Sequence, residues 1–574
     1  MNQPKLYVPE DFYETTSWKD AKTLQQTLDV AKARLLVVCC AFFLSLLLVS
    51  WRIIDVSLIK GIDDKHRDAC SFHRTTFRGD IVDRNGELLA TSLVTSSLYA
   101  NAKVIIDPKE AAKKLITLLP ELVYEETLQK LNSGKTFVWL ARHLTPQKQG
   151  GILRLGIPGL YFRSDERRVY PHGELFAHVL GYTDIDNKGL GGVERKFDPF
   201  LLSDDNPLQL SLDVRVQHAL RDELLAGVQT FHAQGGAGLI MDVRSGEILA
   251  MVSLPDFDPN RVAKIGSQKE ALFNRITLGA YEMGSSFKIF NTALFLESKI
   301  ASLSTTFDVT APLQIGRFKI TDYHPVNYPL TVAEIFTKSS NIGAAKMVMQ
   351  VGKTRQKIFF KKLGFFVPSS LEIPEIGSPL VPRNWTEATT ITASYGYGIS
   401  ISPLQLVTAI GGIVNNGMMN KPTLLKKEKS QYDQGIRVVS HETSEIMRKL
   451  LYMVVAEGTG KRARVKYYEV GGKTGTANLI SGSSYKKGMN MTSFVGVFPM
   501  SRPQYIVLIM VDRPEGTKET FGFNAAGWNA TPIAGKVIER IAPLLQVIPV
   551  TERGLEPEEG PQFIHAKGIR GEGH

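Results

Sequence analysis

The chain has 574 residues, 43% of them hydrophobic and 22% charged, with a formal net charge of +11. This length predicts two or three domains, and the composition excludes wholesale disorder. The positive charge is typical of a protein that functions near anionic lipid or an anionic polymer, although a mildly basic surface explains it equally well. Nucleic-acid binding is disfavoured, because no zinc-finger spacing, basic helix or aromatic RNA-binding signature is recognised. The three cysteines are too few for a disulfide framework or a cysteine-rich zinc site.

The N-terminal segment predicts a membrane anchor. Residues 1–34 are polar and of mixed charge, whereas the run from Leu35 to Trp51 is uncharged and would span roughly 25 Å as a helix. We predict a cytoplasmic tail over 1–34 and an uncleaved transmembrane signal anchor over 35–54. A soluble core helix and a cleaved signal peptide are the alternatives, but no small-residue cleavage site follows. Lys32 and Arg34 favour a cytoplasmic N-terminus, with the remaining chain outside the cytoplasm.

Residues 55–208 predict a scaffold or interaction domain. The stretch around Arg84-Asn85-Gly86 is typical of two short strands joined by a tight turn. Residues 107–157 carry helical patterns, with a cap at Asp107. Three potential metal ligands have weak spacing, so that a structural role is favoured for them: His172, Glu174 and His178.

Residues 209–548 predict one mixed domain. A strand and a long amphipathic helix follow the boundary at about 204–210, and a hairpin turns at Arg244-Ser245-Gly246. Helices are predicted over 331–352 and 387–416, then three strands and a closing helix. Strands at both ends of the segment with helices between them indicate an α+β domain with an antiparallel sheet. Residues 549–574 predict a flexible tail.

One motif in this domain joins Ser285 and Lys288, where an apolar helical pattern begins. Residues three apart on a helix are neighbours on one face. The amine can accept the proton of the hydroxyl and turn a poor nucleophile into a good one. Alone, Ser-x-x-Lys is weak evidence, because it occurs by chance in many chains.

Two later motifs strengthen this hypothesis. Ser339 and Asn341 lie in a polar break between helical patterns, where a helix N-cap is the simpler interpretation. The stretch 471–477 opens a strand, and its amine and hydroxyl groups can hold a carboxylate. A phosphate loop is disfavoured there, because the glycine spacing is incomplete and a strand follows. The order Ser-x-x-Lys, Ser-x-Asn, Lys-Thr-Gly is that of active-site-serine penicillin-binding proteins and class A β-lactamases.

The chain resembles the class B penicillin-binding proteins, most closely the division-specific peptidoglycan D,D-transpeptidases of the FtsI type. The resemblance runs from the anchor to about residue 540 and includes DRNGELLA, RRVYPHGELFAHVLGY, GVERKFD, TVAEIFTKSSNIGAAKM and VGGKTGTA. Asn341 favours the division enzyme, because the elongation enzyme typically has aspartate there. Met283 and Ile289 depart from the family, which usually has proline at both scaffold positions.

The resemblance implies an α+β fold with a membrane anchor, an elongated pedestal domain and a serine β-lactamase-like transpeptidase domain. Ser285 would attack a D-alanyl-D-alanine stem peptide, with Lys288 as general base and Ser339 as proton relay. Lys473 would hold the substrate carboxylate and lower the pKa of Lys288. The implied catalytic residues are Ser285, Lys288, Ser339, Asn341 and Lys473, and the implied substrate-binding residues are Thr474, Gly475 and Thr476.

The resemblance implies no cofactor and no metal, and it implies covalent inhibition by β-lactams. The implied setting is the bacterial inner membrane, with the catalytic domain in the periplasm and an FtsW-type glycosyltransferase and other division proteins as partners. Alternatives are an elongation-type transpeptidase, a β-lactam sensor or β-lactamase-like protein, and a scaffold with vestigial catalytic residues. No carboxylate is placed to activate a deacylating water, and Glu282 is a weak candidate, which argues against a β-lactamase.

Overall fold

The computed structural model describes the backbone of residues 18–54, 78–203, 206–264, 269–316, 318–432, 435–481 and 484–550. The chain separates into two compact units, Met1–Thr75 and Thr76–His574. The predicted boundary near residue 208 lies inside the second unit. Only Pro549 and Val550 of the predicted tail are described, so the rest of that tail lies outside the described residues.

The first unit contains one long helix, α1 (Trp18–Ile54). Its stretch Lys32–Trp51 has a mean hydropathy of 2.4, and among the described residues it is the one helix long and apolar enough to cross a membrane. The helix begins at Trp18, well before the apolar run, so it extends through the second half of the predicted tail, where no helix was predicted. Alanine, leucine, glutamine and lysine dominate residues 18–34, without glycine or proline, so the helix continues outward from the apolar segment.

The N-terminal part of the second unit is built on a five-stranded sheet. Strand β2 pairs with three neighbours, and helices cover one face of the sheet through an apolar cluster that includes Leu98, Leu115 and Leu140. The predicted turn and the predicted helices of 107–157 are present, and Asp107 accepts hydrogen bonds from the N–H groups of Lys109 and Glu110. The strands are β1 (Ile81–Val82), β2 (Leu88–Ala100), β3 (Val138–Leu144), β4 (Leu160–Val169) and β5 (Leu208–Gln209). The helices are α2 (Pro108–Leu118), α3 (Tyr124–Leu131), α4 (Pro146–Arg154), α5 (Ala177–Leu180), α6 (Gly192–Lys196) and α7 (Asp198–Ser203).

The rest of the unit is centred on a second five-stranded sheet, antiparallel throughout, with strand order β14-β15-β16-β6-β7. Its central strands are apolar on both faces because helices cover both. The predicted antiparallel sheet is confirmed. The larger strands are β6 (Gly235–Asp242), β7 (Ile248–Leu254), β14 (Gly471–Ser481), β15 (Ser484–Phe498) and β16 (Tyr505–Asp512). The short ones are β8 (Thr306–Phe307), β9 (Leu313–Ile315), β10 (Phe318–Ile320), β11 (Leu330–Thr331), β12 (Met418–Met419) and β13 (Ile436–Arg437).

The helices of this part form two layers on the sheet. Helices α8 and α16 pack on one face through residues such as Leu220 and Val537, and the others lie on the opposite face with the almost wholly buried α14 among them. The catalytic motifs predicted from the sequence all lie on this opposite side or on edge strand β14. The helices are α8 (Val214–Thr230), α9 (Lys288–Glu297), α10 (Val332–Lys338), α11 (Asn341–Val351), α12 (Lys353–Lys362), α13 (Glu387–Ser394), α14 (Pro403–Val414), α15 (His441–Ala456) and α16 (Ala530–Leu544).

Candidate active site

Ser285 lies in a tight 3-10 turn, Gly284–Phe287, that leads directly into α9. Lys288, the first residue of α9, therefore follows the serine on the same side, as the spacing predicted. Gly284 has a φ of 51°, and an added Cβ there would lie 2.6 Å from the carbonyl oxygen of Thr476. A side chain at this position is excluded, because the turn is pressed against β14. This contact brings the serine turn next to the third motif.

Ser339 sits in the break between α10 and α11 in a left-handed conformation, with φ 63° and ψ 44°. That conformation is costly for a residue other than glycine, so the surrounding contacts must hold it. Ser340 caps α11 by accepting a hydrogen bond of 2.9 Å from the N–H of Gly343. The cap expected in this stretch is thus made by Ser340, which leaves Ser339 and Asn341 turned toward the amine of Lys288.

The amine of Lys288 is the centre of the site. Its Nζ lies 2.6 Å from the backbone oxygen of Ser339, 2.7 Å from Oδ1 of Asn341 and 3.1 Å from Oγ of both Ser285 and Ser339. The carbonyl oxygens of Ser339 and Asn341 only accept hydrogen bonds, and they are the closest neighbours. A neutral amine would donate its two N–H bonds to them, and its lone pair would remain for the hydroxyl of Ser285.

Burial favours this neutral form. The side chain of Lys288 is 1% exposed, and burial, followed by the neighbouring charge of Lys473, lowers the pKa of Lys288 well below its ordinary value. Asp322 acts in the opposite direction, by favouring the ammonium form. Lys473 is fully buried, and burial lowers the pKa of Lys473 to about 7. Its Nζ donates a hydrogen bond of 2.9 Å to Oγ of Ser339, which joins the three motifs.

Strand β14 carries the remaining predicted residues along one wall of the site. It is an edge strand of the five-stranded sheet, so within the described part of the chain one side of its backbone has no partner strand in that sheet. A Cβ at Gly475 would lie 2.7 Å from Oγ of Ser286 and 2.4 Å from Oγ of Ser493, so this glycine permits the close approach. The hydroxyl of Thr474 lies 2.9 Å from that of Thr459, and Oγ1 of Thr476 accepts a hydrogen bond from the N–H of Ala526.

All eight residues predicted for the site lie together. Five of them are joined by direct hydrogen bonds, and the other three follow on β14 beside the serine turn: Ser285, Lys288, Ser339, Asn341 and Lys473, then Thr474, Gly475 and Thr476. The arrangement places a partly exposed hydroxyl, an amine with a lowered pKa and an open strand edge within one cleft. Such a cleft can activate a serine nucleophile and bind an extended peptide.

Asp322 was missed by the sequence analysis. Its carboxylate accepts hydrogen bonds from the N–H groups of Asn341 at 2.5 Å and Ile342 at 3.0 Å, and from Oγ of Ser340 at 2.5 Å. It thereby neutralises the N-terminus of α11 and fixes the residue that orients Lys288. The segment TDYHP that holds it carries no recognisable motif, so only the folded chain reveals this contact.

The three weak metal-ligand candidates have separate structural partners. His178 donates from Nε2 to the backbone oxygen of Ala271 at 2.8 Å, and burial lowers the pKa of His178 to about 4. Glu174 pairs with Arg221, and His172 lies 3.7 Å from Glu87. Glu282, the weak candidate for a water-activating base, accepts a hydrogen bond from the N–H of Gly398.

Comparison with family models matches residues 236–539 to the penicillin binding protein transpeptidase domain and residues 74–199 to the penicillin-binding protein dimerisation domain. The probable peptidoglycan D,D-transpeptidase FtsI of Caulobacter vibrioides is 40% identical over 488 residues, which cover 83% of this chain and 82% of that protein. The probable peptidoglycan D,D-transpeptidase PenA of Neisseria gonorrhoeae is 31% identical, with 81% and 83% coverage. The peptidoglycan D,D-transpeptidase FtsI of Escherichia coli is 27% identical, with 83% and 85% coverage.

Two solved structures share the fold. The putative peptidoglycan glycosyltransferase of Atopobium parvulum aligns with a TM-score of 0.64 at 24% identity, covering 82% of this chain and 98% of that chain. The peptidoglycan synthetase of Bifidobacterium adolescentis aligns with a TM-score of 0.65 at 21% identity, covering 83% and 96%. At these identities the two likenesses establish the fold alone.

Proposed function

Because the chain belongs to the penicillin-binding protein transpeptidase family, we propose that it is a membrane-anchored peptidoglycan D,D-transpeptidase of the division type. It would cross-link stem peptides of the septal wall through an acyl-enzyme on Ser285. The observation that carries this proposal is the contact of Lys288 with Oγ of Ser285 at 3.1 Å, in a site that lowers the pKa of the amine. The FtsI relatives support the division type.

Acylation begins when the hydroxyl of Ser285 transfers its proton to neutral Lys288 as Oγ attacks the carbonyl carbon between the two terminal D-alanines. The C–N bond then breaks, and D-alanine leaves with a proton supplied through Ser339. Ser339 suits this relay because its Oγ lies 3.1 Å from Nζ of Lys288 and 2.9 Å from Nζ of Lys473. Asn341 keeps the amine aligned throughout.

The negative charge that develops on the carbonyl oxygen needs donors. The backbone N–H groups of Ser285 and Thr476 are proposed as the oxyanion hole, since the serine turn is pressed against β14 at this residue. Loss of one such donor costs roughly 3–4 kcal/mol of transition-state stabilisation. Lys473, Thr474 and Thr476 would hold the terminal carboxylate, while the open edge of β14 pairs with the peptide as an added strand.

The acyl-enzyme is resolved when the amine of a neighbouring stem peptide attacks the ester and releases Ser285. A β-lactam would enter by the same acylation step and leave Ser285 blocked. Glu282 is held by the N–H of Gly398, which suits a structural role better than activation of water. This favours transfer to an acceptor over rapid hydrolysis.

The proposed setting is the bacterial inner membrane, with α1 as a single-pass anchor, a cytoplasmic N-terminus and a periplasmic catalytic domain. The proposed division of the chain is the one predicted from the sequence. Residues 1–34 form the cytoplasmic tail, 35–54 the anchor, 55–208 the pedestal, 209–548 the transpeptidase domain and 549–574 the C-terminal tail. The pedestal would dock onto an FtsW-type glycosyltransferase and other division proteins. The assignment of these partners rests on family analogy.

Covalent labelling by a fluorescent penicillin tests the proposal. Wild-type protein should retain the label through denaturation, and Ser285→Ala should not be labelled. Ser286→Ala is the matched control, because Ser286 is buried in the same turn and contacts none of the proposed catalytic side chains through a hydrogen bond. Labelling of Ser285→Ala would contradict the nucleophile assignment, and fast loss of the label from wild type would indicate a β-lactamase instead.

A further inference from the structure

Helix α12 (Lys353–Lys362) presents a strongly basic outer face that the sequence pattern did not reveal. Its sequence, KTRQKIFFKK, contains no acidic residue. All five of its cationic side chains are exposed, and they are Lys353, Arg355, Lys357, Lys361 and Lys362. Among the described residues, none of their nitrogens lies within 4.0 Å of a carboxylate oxygen.

Part of this arrangement works against the stability of the helix, although Lys361 and Lys362 stand in the last turn, where the helix dipole favours cations. Lys353, Lys357 and Lys361 follow one another at four-residue spacing, and like charges at that spacing repel. Lys353 and Arg355 also stand in the first turn, where the helix dipole disfavours cations. One carboxylate that interacts with this face is that of Glu297, which accepts hydrogen bonds from Ser440 and Thr443. These bonds lower the pKa of Glu297 against the effect of burial, and the charge of Lys362 adds a smaller contribution in the same direction. Within the described residues, the basic face is therefore left without a paired carboxylate.

The inner face of α12 is fixed to the core behind the nucleophile. Gln356 donates hydrogen bonds to Asn291 at 2.8 Å and to the backbone oxygen of Thr390 at 3.0 Å. Phe360 packs edge-on against Phe287, with ring centroids 5.6 Å apart, and Phe287 belongs to the turn that carries Ser285. A ligand held by the basic face would thus be attached to the same packed layer as the nucleophile.

We propose that the outer face of α12 is a docking surface for the carboxylate-bearing peptidoglycan polymer, outside the catalytic cleft. This rests on the proposed function, because that polymer is the substrate and its stem peptides end in a carboxylate. A row of cations along roughly 15 Å of helix matches such a polymer in charge. An anionic membrane fits less well, because Phe359 and Phe360 are buried in the core and Ile358 is the one apolar side chain of α12 left exposed to insert into lipid.

Co-sedimentation of the full-length protein in detergent with lipid-free peptidoglycan sacculi tests the proposal. The test variant replaces Lys353, Lys357, Lys361 and Lys362 with glutamine and should bind roughly tenfold more weakly. The control replaces four exposed lysines elsewhere, Lys103, Lys109, Lys113 and Lys130, with glutamine and changes net charge equally. It should bind within about twofold of wild type. Binding by wild type should weaken as salt rises.

Sacculi whose carboxyl groups have been amidated provide the second arm and should bind wild type roughly tenfold more weakly. Unchanged binding by the α12 variant, an equal loss in the control, or undiminished binding to amidated sacculi would each overturn the docking surface. Fluorescent penicillin labelling is measured in parallel. Absence of label on wild type would refute the proposed function, whereas labelled protein that fails the sedimentation test refutes only the docking surface.

Discussion

The pedestal and the catalytic cleft each bury two basic side chains, but the two regions surround them differently. The pedestal pairs them with carboxylates, whereas the cleft surrounds them with uncharged oxygens. Arg78 and Arg168 share Glu194, at 2.6 and 2.7 Å, and Arg78 also pairs with Asp198. Burial opposes the charge of Arg78, yet Glu194 and Asp198 together raise the pKa of Arg78. In the cleft, no carboxylate pairs directly with Lys288 or Lys473 among the described residues, and both pKa values are lowered.

The difference separates a structural use of buried charge from a chemical one. The carboxylates beside Arg78 favour its charged form, and Glu194 joins Arg78 to Arg168, which holds three distant segments of the chain together. The cleft lysines are left with hydroxyl, amide and backbone oxygens, which accept hydrogen bonds without fixing the proton. A buried amine without a counter-ion is costly to charge, and that cost lowers the pKa of Lys288 and favours its neutral, basic form.

The largest effect is expected for Lys288→Gln, which keeps polarity but removes the base. Acylation by a fluorescent penicillin should slow by about 10³-fold, because Ser285 loses the group that accepts its proton. The second-order rate constant of labelling measures this. Thermal unfolding provides the control, since a lowered Tm would attribute the slow labelling to damage of the fold.

Glu194→Gln tests the paired cluster of the pedestal. Two buried guanidinium groups would lose their shared anion, which should lower the free energy of unfolding by about 3–5 kcal/mol. Denaturant unfolding of the full chain measures the change. Lys188→Gln, at an exposed pedestal lysine, is the control and should be near neutral. A change below about 1 kcal/mol in Glu194→Gln would show that the ion pairs are not structural.

Lys473→Met should stabilise the protein, in contrast to Glu194→Gln, and should raise the Tm of the unliganded protein at pH 7. The pKa of Lys473 is about 7 when folded and near 10.4 in an unfolded chain. Between these values the unfolded state binds more protons, so stability rises with pH across this window. Removing the amine should flatten that rise as well as raise Tm. A lower Tm at pH 7 would contradict the cost assigned to this buried lysine.

Asp322→Asn is expected to have the smallest effect. Asp322 favours the charged form of Lys288, so its loss should lower the pKa of Lys288 further. The acylation rate at pH 6, relative to that at pH 7, should then increase by a few-fold. Asp308→Asn, an exposed carboxylate, serves as control. A relative rate that falls in Asp322→Asn but not in the control would show that this carboxylate does not act through Lys288.

The sequence predicted the antiparallel sheet, most of the long helices and the serine, lysine and threonine motifs, because each of these depends on a local residue pattern or on a fixed spacing within a motif. Asp322 was not predicted, since it lies 19 residues before Asn341 in a stretch without a motif, and only the fold brings the two together. The Arg78–Glu194 pair joins residues 116 apart and is invisible to periodicity. The early start of α1 was missed because the polar residues before the apolar run gave no apolar face to recognise.

The pH dependence of acylation tests the central claim most directly. The second-order rate of penicillin labelling should follow a bell, because it requires neutral Lys288 and charged Lys473 in the free enzyme. The alkaline limb should fall near pH 7, where burial places the pKa of Lys473, and the acid limb should lie lower and report Lys288. Since the two amines interact, the two values belong to the pair. A rate that instead climbs steadily toward pH 10, as an ordinary lysine loses its proton, would contradict the account.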